Sequence, residues 1–197
     1  MKGPRPECPA ITIINMSKEL LNIVNESGKV ISVDTRENIH RKGLLHKEVH
    51  IWFVSPSGEI IFQHRAKNKD TFPNLLDATV GGHVEIGNDY ITTAIKEIYE
   101  ETGIHIKEVD LHSIKVMKSS SKDLVTGRTN NVLRAVFTYK FDGSLDLLKQ
   151  ESGEGVGFEA FSLERLKNLS KSERERFIPK VIDEIHMALF ENMINRF

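Results

Sequence analysis

The sequence predicts an α/β fold, a mixed β-sheet with helices on both faces arranged around one acidic helix. Three observations carry this. Apolar, β-branched runs alternate with turn signals from Leu20 to Arg65 and again from Val109 to Phe161. One well-punctuated helix interrupts them, entered through Asn88 and Asp89, good N-cap residues, and left through Gly103, a good left-handed stop. The tail beyond Ser170 carries a helical apolar stripe, Ile178, Val181, Ile182, Ile185 and Leu189. Strands interleaved with a central helix and closed by C-terminal helices require helices on both faces of the sheet.

Composition narrows the class. The 197 residues are 39% hydrophobic and 28% charged, with no second compositional regime, no repeats and no low-complexity segment. An N-terminal extension over 1–18 and a single domain over 19–197 are expected. Lys plus Arg number 27 against 28 Asp plus Glu, a formal charge of −1, so there is no electrostatic case for nucleic-acid or membrane partners. Cys8 is the only cysteine and cannot form an internal disulfide. No apolar run approaches the ~18 residues that span a bilayer, and the start lacks the apolar core of a secretory signal, so a cytoplasmic protein is expected.

In order, Met1 to Pro9 is rich in proline and reads as irregular, and Ile11 to Ile14 as a short strand. Leu20–Val24 and Val30–Val33 flank the turn signal Asn25-Glu26-Ser27-Gly28 and read as a hairpin. Asp34, with Glu37 three residues on, forms a capping-box pattern, so Asp34 or Thr35 starts a short helix that ends near Gly43. His46 to Ser55 and Glu59 to Arg65 read as strands joined by a tight turn at Pro56-Ser57-Gly58. Lys67 to Asn74 is a loop, and Leu75 to Val84 a strand running through Gly81-Gly82, where backbone can approach a ligand closely.

Beyond the acidic helix, Val109 to Met117 reads as a strand, Ser119 to Thr129 as a polar loop, Val132 to Phe141 as a strong strand, and Asp142 to Gly155 as a loop or short helix rich in Gly and Glu. Gly157 to Phe161 is the last strand, and Ser162 caps a short helix through Asn168. Ser170 with Glu173 is a capping pair, and Pro179 is expected to split the tail so that a long helix begins near Phe177. Trp52 and Phe53 are expected in the core, with a pocket-lining role for one of them left open.

The chemistry concentrates in Gly82 to Ile104, GHVEIGNDYITTAIKEIYEETGI. Glu97, Glu100 and Glu101 fall three and four apart, so a helix places their carboxylates on one flank, while Ile91, Ala94, Ile95, Ile98 and Thr102 take the other. Like charges at this spacing repel by a few tenths of a kcal/mol per pair. A hard divalent cation removes that cost, because Mg²⁺ prefers carboxylate oxygens and bridges to phosphates. A solvated acidic face is the competing reading.

The stretch resembles the signature of the Nudix hydrolases, G-x5-E-x7-R-E-U-x-E-E-x-G-U with U aliphatic. Gly82, Glu97, Ile98, Glu100, Glu101, Gly103 and Ile104 fall in register, with Lys96 at the arginine position and Asn88 at the first glutamate. The resemblance implies an α/β/α sandwich and hydrolysis of a diphosphate linkage by water with Mg²⁺, or Mn²⁺ in its place. By carry-over Glu97 and Glu101 are the main metal ligands, Glu100 a third ligand or the partner of a second ion, and the Gly81 carbonyl completes the shell. One of these box glutamates, or an acid from outside, acts as base. Glu85, Glu151 and Glu154 are the outside candidates, each also readable as a solvated loop carboxylate. The two departures imply a looser brace of loop and helix, since lysine lacks the bidentate fork of arginine, although Asn88 can still cap the helix.

Flanking residues narrow the resemblance to the branch that contains isopentenyl-diphosphate isomerase. His46 and His83 match its metal-binding histidines, His40 a third after a one-residue gap, and Arg65 and Lys69 its diphosphate-binding pair. The isomerase cysteine falls at Gly81 and its later glutamates near Thr129 and Asn131, none of them ionisable, so the acid and base of an allylic proton shift are missing. That isomerase also does not keep the full set of box glutamates. The expected function is therefore a Mg²⁺-dependent pyrophosphohydrolase acting on a small-molecule nucleoside diphosphate derivative or related phosphoanhydride. An isomerase and a catalytically weakened binding module are the rivals, and a homodimer is left open.

Overall fold

The computed structural model describes residues 19–69, 71–150, 153 and 155–197. The expected strand at Ile11 to Ile14, the irregular start and Cys8 lie outside the described residues, as do Glu151 and Glu154.

The chain opens with an antiparallel hairpin, β1 (Leu20–Val24) and β2 (Val30–Thr35). The Asn25 side chain accepts from the amides of Ser27 and Lys29 at 3.1 and 3.0 Å, which closes the turn. Helix α1 (Arg36–Lys42) follows at once, its first turn capped by the Thr35 hydroxyl and its last stopped by Gly43 at φ 64.

The main sheet is built from β3 (His46–Val54), β4 (Glu59–Arg65), β5 (Leu76–Asp77), β6 (Val80–His83), β7 (Leu111–Lys122), β8 (Thr129–Lys140) and β9 (Gly155–Ser162). Its path runs β5-β4-β3-β8-β7, with β6 also on β3 and β9 also on β4. β3 and β8 are parallel and the other pairs antiparallel, so the sheet is mixed. β3 and β4 pair only at Phe53↔Ile61 and Val54↔Ile60, then part. Beyond that point β6 lies along β3, while β5 and β9 lie along β4. The cleft between the two branches holds the functional residues.

The expected single strand from Leu75 to Val84 is instead two short ones. The chain pairs first with β4 and then crosses to β3, and the buried Thr79 sits at the crossing. Its hydroxyl accepts from the Phe53 amide at 2.9 Å and donates to the Ile61 carbonyl, satisfying both strands where their own ladder stops. The expected polar loop from Ser119 to Thr129 is shorter: Ser119 to Lys122 extend β7 and pair with Thr129 to Val132. In a hairpin at the sheet edge these serines need no apolar partners, because backbone pairing carries the strand.

Helix α2 (Tyr90–Thr102) covers one face of the sheet, burying Ala94 and Ile98 against Val49, Ile51, Phe53 and Val80. Its cap is Asp89, which accepts from the Thr92 amide at 2.8 Å, rather than Asn88. On the other face α3 (Leu163–Lys167), α4 (Lys171–Arg174) and α5 (Glu184–Ile194) close a core of Trp52, Phe62, Phe161, Phe177 and Phe190. The long helix expected from Phe177 begins at Glu184. Pro179 starts a separate 3-10 turn, Pro179–Ile182, and Asp183 caps α5 through the His186 amide. Helices on both sides of a mixed sheet make the α/β/α sandwich. Among the described residues no helix is long and apolar enough to cross a membrane.

Candidate active site

The cleft between the branches is about 250 Å³ and brings α2 against both of them. Glu97 lies on Gly82 of β6: a Cβ built on that glycine stands 2.3 Å from the Glu97 carboxyl carbon, so only glycine leaves it room. Glu101 is 2% exposed and accepts from the Gln63 amide on β4 at 2.8 Å. Glu100 is exposed and lies 3.3 Å from the Lys96 ammonium one turn back. The three glutamates are thus held by three different means, and all line the cleft.

Such oxygen donors at one end of a cleft suit a hard cation. Lys96 also donates to Glu85 at 2.8 Å, and Asn88 donates to the second oxygen of Glu85 at 3.3 Å. The hydrogen bond that Lys96 donates to Glu85 raises the Lys96 pKa, against a smaller opposing effect of burial. The acid that holds the loop to the helix therefore stands at 85 instead of 88.

These positions coincide with a recognised domain. The NUDIX domain model matches residues 44–181. The chain belongs to the Nudix family. It is 36% identical over 106 residues to an uncharacterised Nudix hydrolase of Clostridium acetobutylicum, covering 52% of this chain and 51% of the relative. With the uncharacterised Nudix hydrolase YfcD of Escherichia coli it shares 38% over 88 residues, 45% of this chain and 49% of the relative. The chain thus spans about half the length of these curated relatives. Among solved structures, Deinococcus radiodurans DR0079 superposes with a TM-score of 0.64 at 21% identity, covering 89% of this chain and 99% of that one. A MutT protein of Methanosarcina mazei gives 0.57 at 18%, covering 75% and 94%. At these identities the superpositions establish a Nudix fold. Nudix hydrolases act on pyrophosphate bonds in phosphorus-containing substrates and generally use divalent metals.

The other candidate residues fall into two groups. Arg65 and Lys69 line the cleft. The Arg65 guanidinium is engaged at every nitrogen: Nε donates to the Phe72 carbonyl at 3.2 Å, Nη1 to Asp77 at 3.0 Å and Nη2 to the Thr71 carbonyl at 2.8 Å. It fastens the following loop, in which Phe72 has the unusual φ of 48° for a bulky side chain. Asp123, 2% exposed in the β7–β8 turn, accepts from the Phe72 amide at 2.9 Å and holds that conformation from the far side.

His40, His46 and His83 come together on the face of β3 that also carries Glu48 and His50, and His40 and His83 line the same cleft. Their ring nitrogens lie within 4.8 Å of one another, and His40 and His83 Nε2 are 3.2 Å apart. His46 donates through Nδ1 to the Leu44 carbonyl at 3.0 Å, and its buried Nε2 has no hydrogen-bond partner among the described residues. Burial, then the Arg36 charge and His46, depress the His83 pKa well below its ordinary value, and burial depresses that of His46. Neutral imidazoles with an unpartnered nitrogen suit a transition-metal ion.

Four cleft residues escaped the sequence reading: Glu48, His50, Asn130 and Arg134. Glu48 accepts from Arg134 Nε at 2.6 Å, His50 Nε2 at 2.9 Å and Asn130 at 2.6 Å. Burial alone raises the Glu48 pKa, but the Arg134 and His50 charges outweigh it and hold the carboxyl well below the usual carboxylate range. The available signal was alternation: His46, Glu48 and His50 occupy every second position of a strand that is apolar from Val49 on at the positions between and after them.

Proposed function

We propose that this protein is a Mg²⁺-dependent hydrolase of a phosphoanhydride bond in a small-molecule diphosphate, with a nucleoside diphosphate derivative as the substrate class. The observation that carries the reading is that Glu97, Glu100 and Glu101 line one cleft with Gly81 and Gly82 of β6, and its other walls carry Arg36, Lys69, Arg134 and Lys180. Glu97 and Glu101 hold the ion, with Glu100 and the Gly81 carbonyl as further donors. A bound Mg²⁺ supplies neutralisation of the phosphate oxygens and a more acidic water. Gln63 orients Glu101, Gly82 admits Glu97, and the closed walls restrict bulk water around the reacting anhydride. Lys69 faces the substrate phosphates, while Arg65 shapes the loop that carries it. Of the acids proposed as base, Glu85 is engaged by Lys96, which favours a box glutamate. Phosphate and pyrophosphate release across nucleotide sugars, dinucleoside polyphosphates and nucleoside triphosphates tests this reading. Mg²⁺-dependent turnover that collapses in Glu101→Gln supports it, and an inert wild-type protein across the panel overturns it.

The isomerase-like reading is favoured by the His40, His46 and His83 cluster. Two observations oppose it. A Cβ built on Gly81, where the cysteine belongs, stands 3.3 Å from the His50 ring, already tight before a sulfur is added. Asn131, near the position of one missing glutamate, is bound to the Gly43 carbonyl at 3.0 Å. Conversion of isopentenyl diphosphate to dimethylallyl diphosphate is the test.

A further inference from the structure

Two of the arginines that line the cleft stand in opposite circumstances. Arg65 has used every nitrogen on its own loop and on Asp77. Arg134, 5% exposed, is held to Glu48 through Nε alone, and its Nη1 is buried with no partner among the described residues. Glu48 reaches only its Nε edge: one carboxylate oxygen takes Arg134 Nε and His50, and the other takes Asn130. A guanidinium cannot shed its proton to escape this, so the unmet donor calls for an acceptor from outside the chain. Register places the residue well: Arg134 lies across from Glu48 on β3, which lies across from His83 on β6, and all three line the cleft.

We infer that Arg134 is an anion-binding residue of the cleft, donating through its spare nitrogen to a phosphate oxygen of the substrate group that lies away from the box glutamates. This rests on the phosphoanhydride reading for its substrate, but not for its chemistry: any diphosphate offers the acceptor. Glu48 is the positioning residue. It fixes the guanidinium by its Nε edge, and its own negative charge is balanced within the cluster, so the subsite accepts an anion. Planar, charge-assisted recognition of phosphate is what arginine does better than lysine.

The test is calorimetric binding of inorganic pyrophosphate to metal-free protein, comparing wild type with Arg134→Lys, which keeps a cation beside Glu48 and removes the second nitrogen. Loss of one charge-assisted hydrogen bond weakens binding about tenfold, with the melting temperature unchanged. Should that variant not fold, the paired substitution Glu48→Gln with Arg134→Met removes both charges together and is expected to fold and to lose the same affinity. A folded variant that binds pyrophosphate as tightly as wild type, or a metal-free wild type that does not bind it, overturns the inference and assigns Nη1 to an internal water. Because the probe needs neither metal nor turnover, pyrophosphate binding that depends on Arg134 stands even if the substrate panel shows no hydrolysis. In an active protein the same substitution raises KM with kcat retained, which loss of box geometry does not do.

Discussion

Lys96 donates to Glu85 at 2.8 Å while lying 3.3 Å from Glu100, so one ammonium ties the loop before α2 to a carboxylate of the metal end. Both ends of this bridge are more than a third exposed, and such pairs contribute at most about 1 kcal/mol to stability. Its value lies in geometry. Glu85→Gln is expected to shift the melting temperature by no more than about 3 °C while lowering Mg²⁺-dependent turnover about tenfold, the effect of a modest misplacement of a catalytic group. Asn88→Glu is expected to leave the rate within about twofold of wild type, since a second acid adds little where Glu85 already serves. Parallel melts and initial rates check both.

Gly82 offers a sharper separation of fold from function. A methyl group there meets only the far end of the Glu97 side chain, 2.3 to 2.6 Å away, which can swing aside. Gly82→Ala is therefore expected to cost no more than about 1 kcal/mol of stability and to remove about a hundredfold or more of the metal-dependent rate, because Glu97 cannot hold its place. Urea melts and a Mg²⁺ titration of activity read the two effects independently.

Gln63 bonds the carboxylate of Glu101 at 2.8 Å in a buried setting. Gln63→Leu keeps the side-chain volume and leaves that carboxylate short of a donor, a penalty of about 1 to 3 kcal/mol. Binding of a divalent ion repays part of this, so the stabilisation of the variant by Mg²⁺ is expected to exceed that of wild type. Melting temperatures with and without Mg²⁺ measure the difference.

What the sequence showed and what it withheld divide along sequence separation. Glu97, Glu100 and Glu101 share a flank because their spacing is that of one helix, and Gly103 ends that helix by its own conformation, so both were readable locally. The bond between Glu48 and Arg134 joins residues 86 positions apart, and nothing near either one announces it. The break of the expected Leu75 to Val84 strand has the same origin, since it marks a change of partner from β4 to β3. Phe177 gave a false helix start because apolar periodicity does not distinguish a 3-10 turn from α-helix, whereas Asp183, whose carboxylate accepts from the His186 amide, does.

The His40, His46 and His83 cluster is expected to retain Zn²⁺ through dialysis, a softer ion than the oxygen donors of α2 prefer. His83→Ala removes one of three ligands, and loss of a ligand lowers affinity by well over tenfold. Metal content after dialysis, compared with Glu101→Gln, shows whether the two donor sets load separately: His83→Ala is expected to lose the transition metal and Glu101→Gln to keep it.

His186 makes the fold acid-sensitive in a predictable sense. Burial lowers its pKa from 6.5 to about 4, against an opposing hydrogen bond from Nδ1 to Asp183 at 2.9 Å. The folded protein therefore keeps this imidazole neutral where the unfolded chain would protonate it. Between pH 4 and 6.5 the unfolded state binds more protons, so stability rises with pH across that window. The contribution is complete above the unfolded value and is lost as pH falls toward the folded one, up to about 3 kcal/mol in all. Going from pH 7.5 to pH 5 is expected to cost wild type about 2 kcal/mol more than His186→Gln, whose side chain cannot titrate. His46 and His83 are depressed in the same direction and persist in both proteins, so their share cancels in the difference. Urea unfolding of the two proteins at both pH values measures it, and equal losses would mean that His186 is protonated in the folded state.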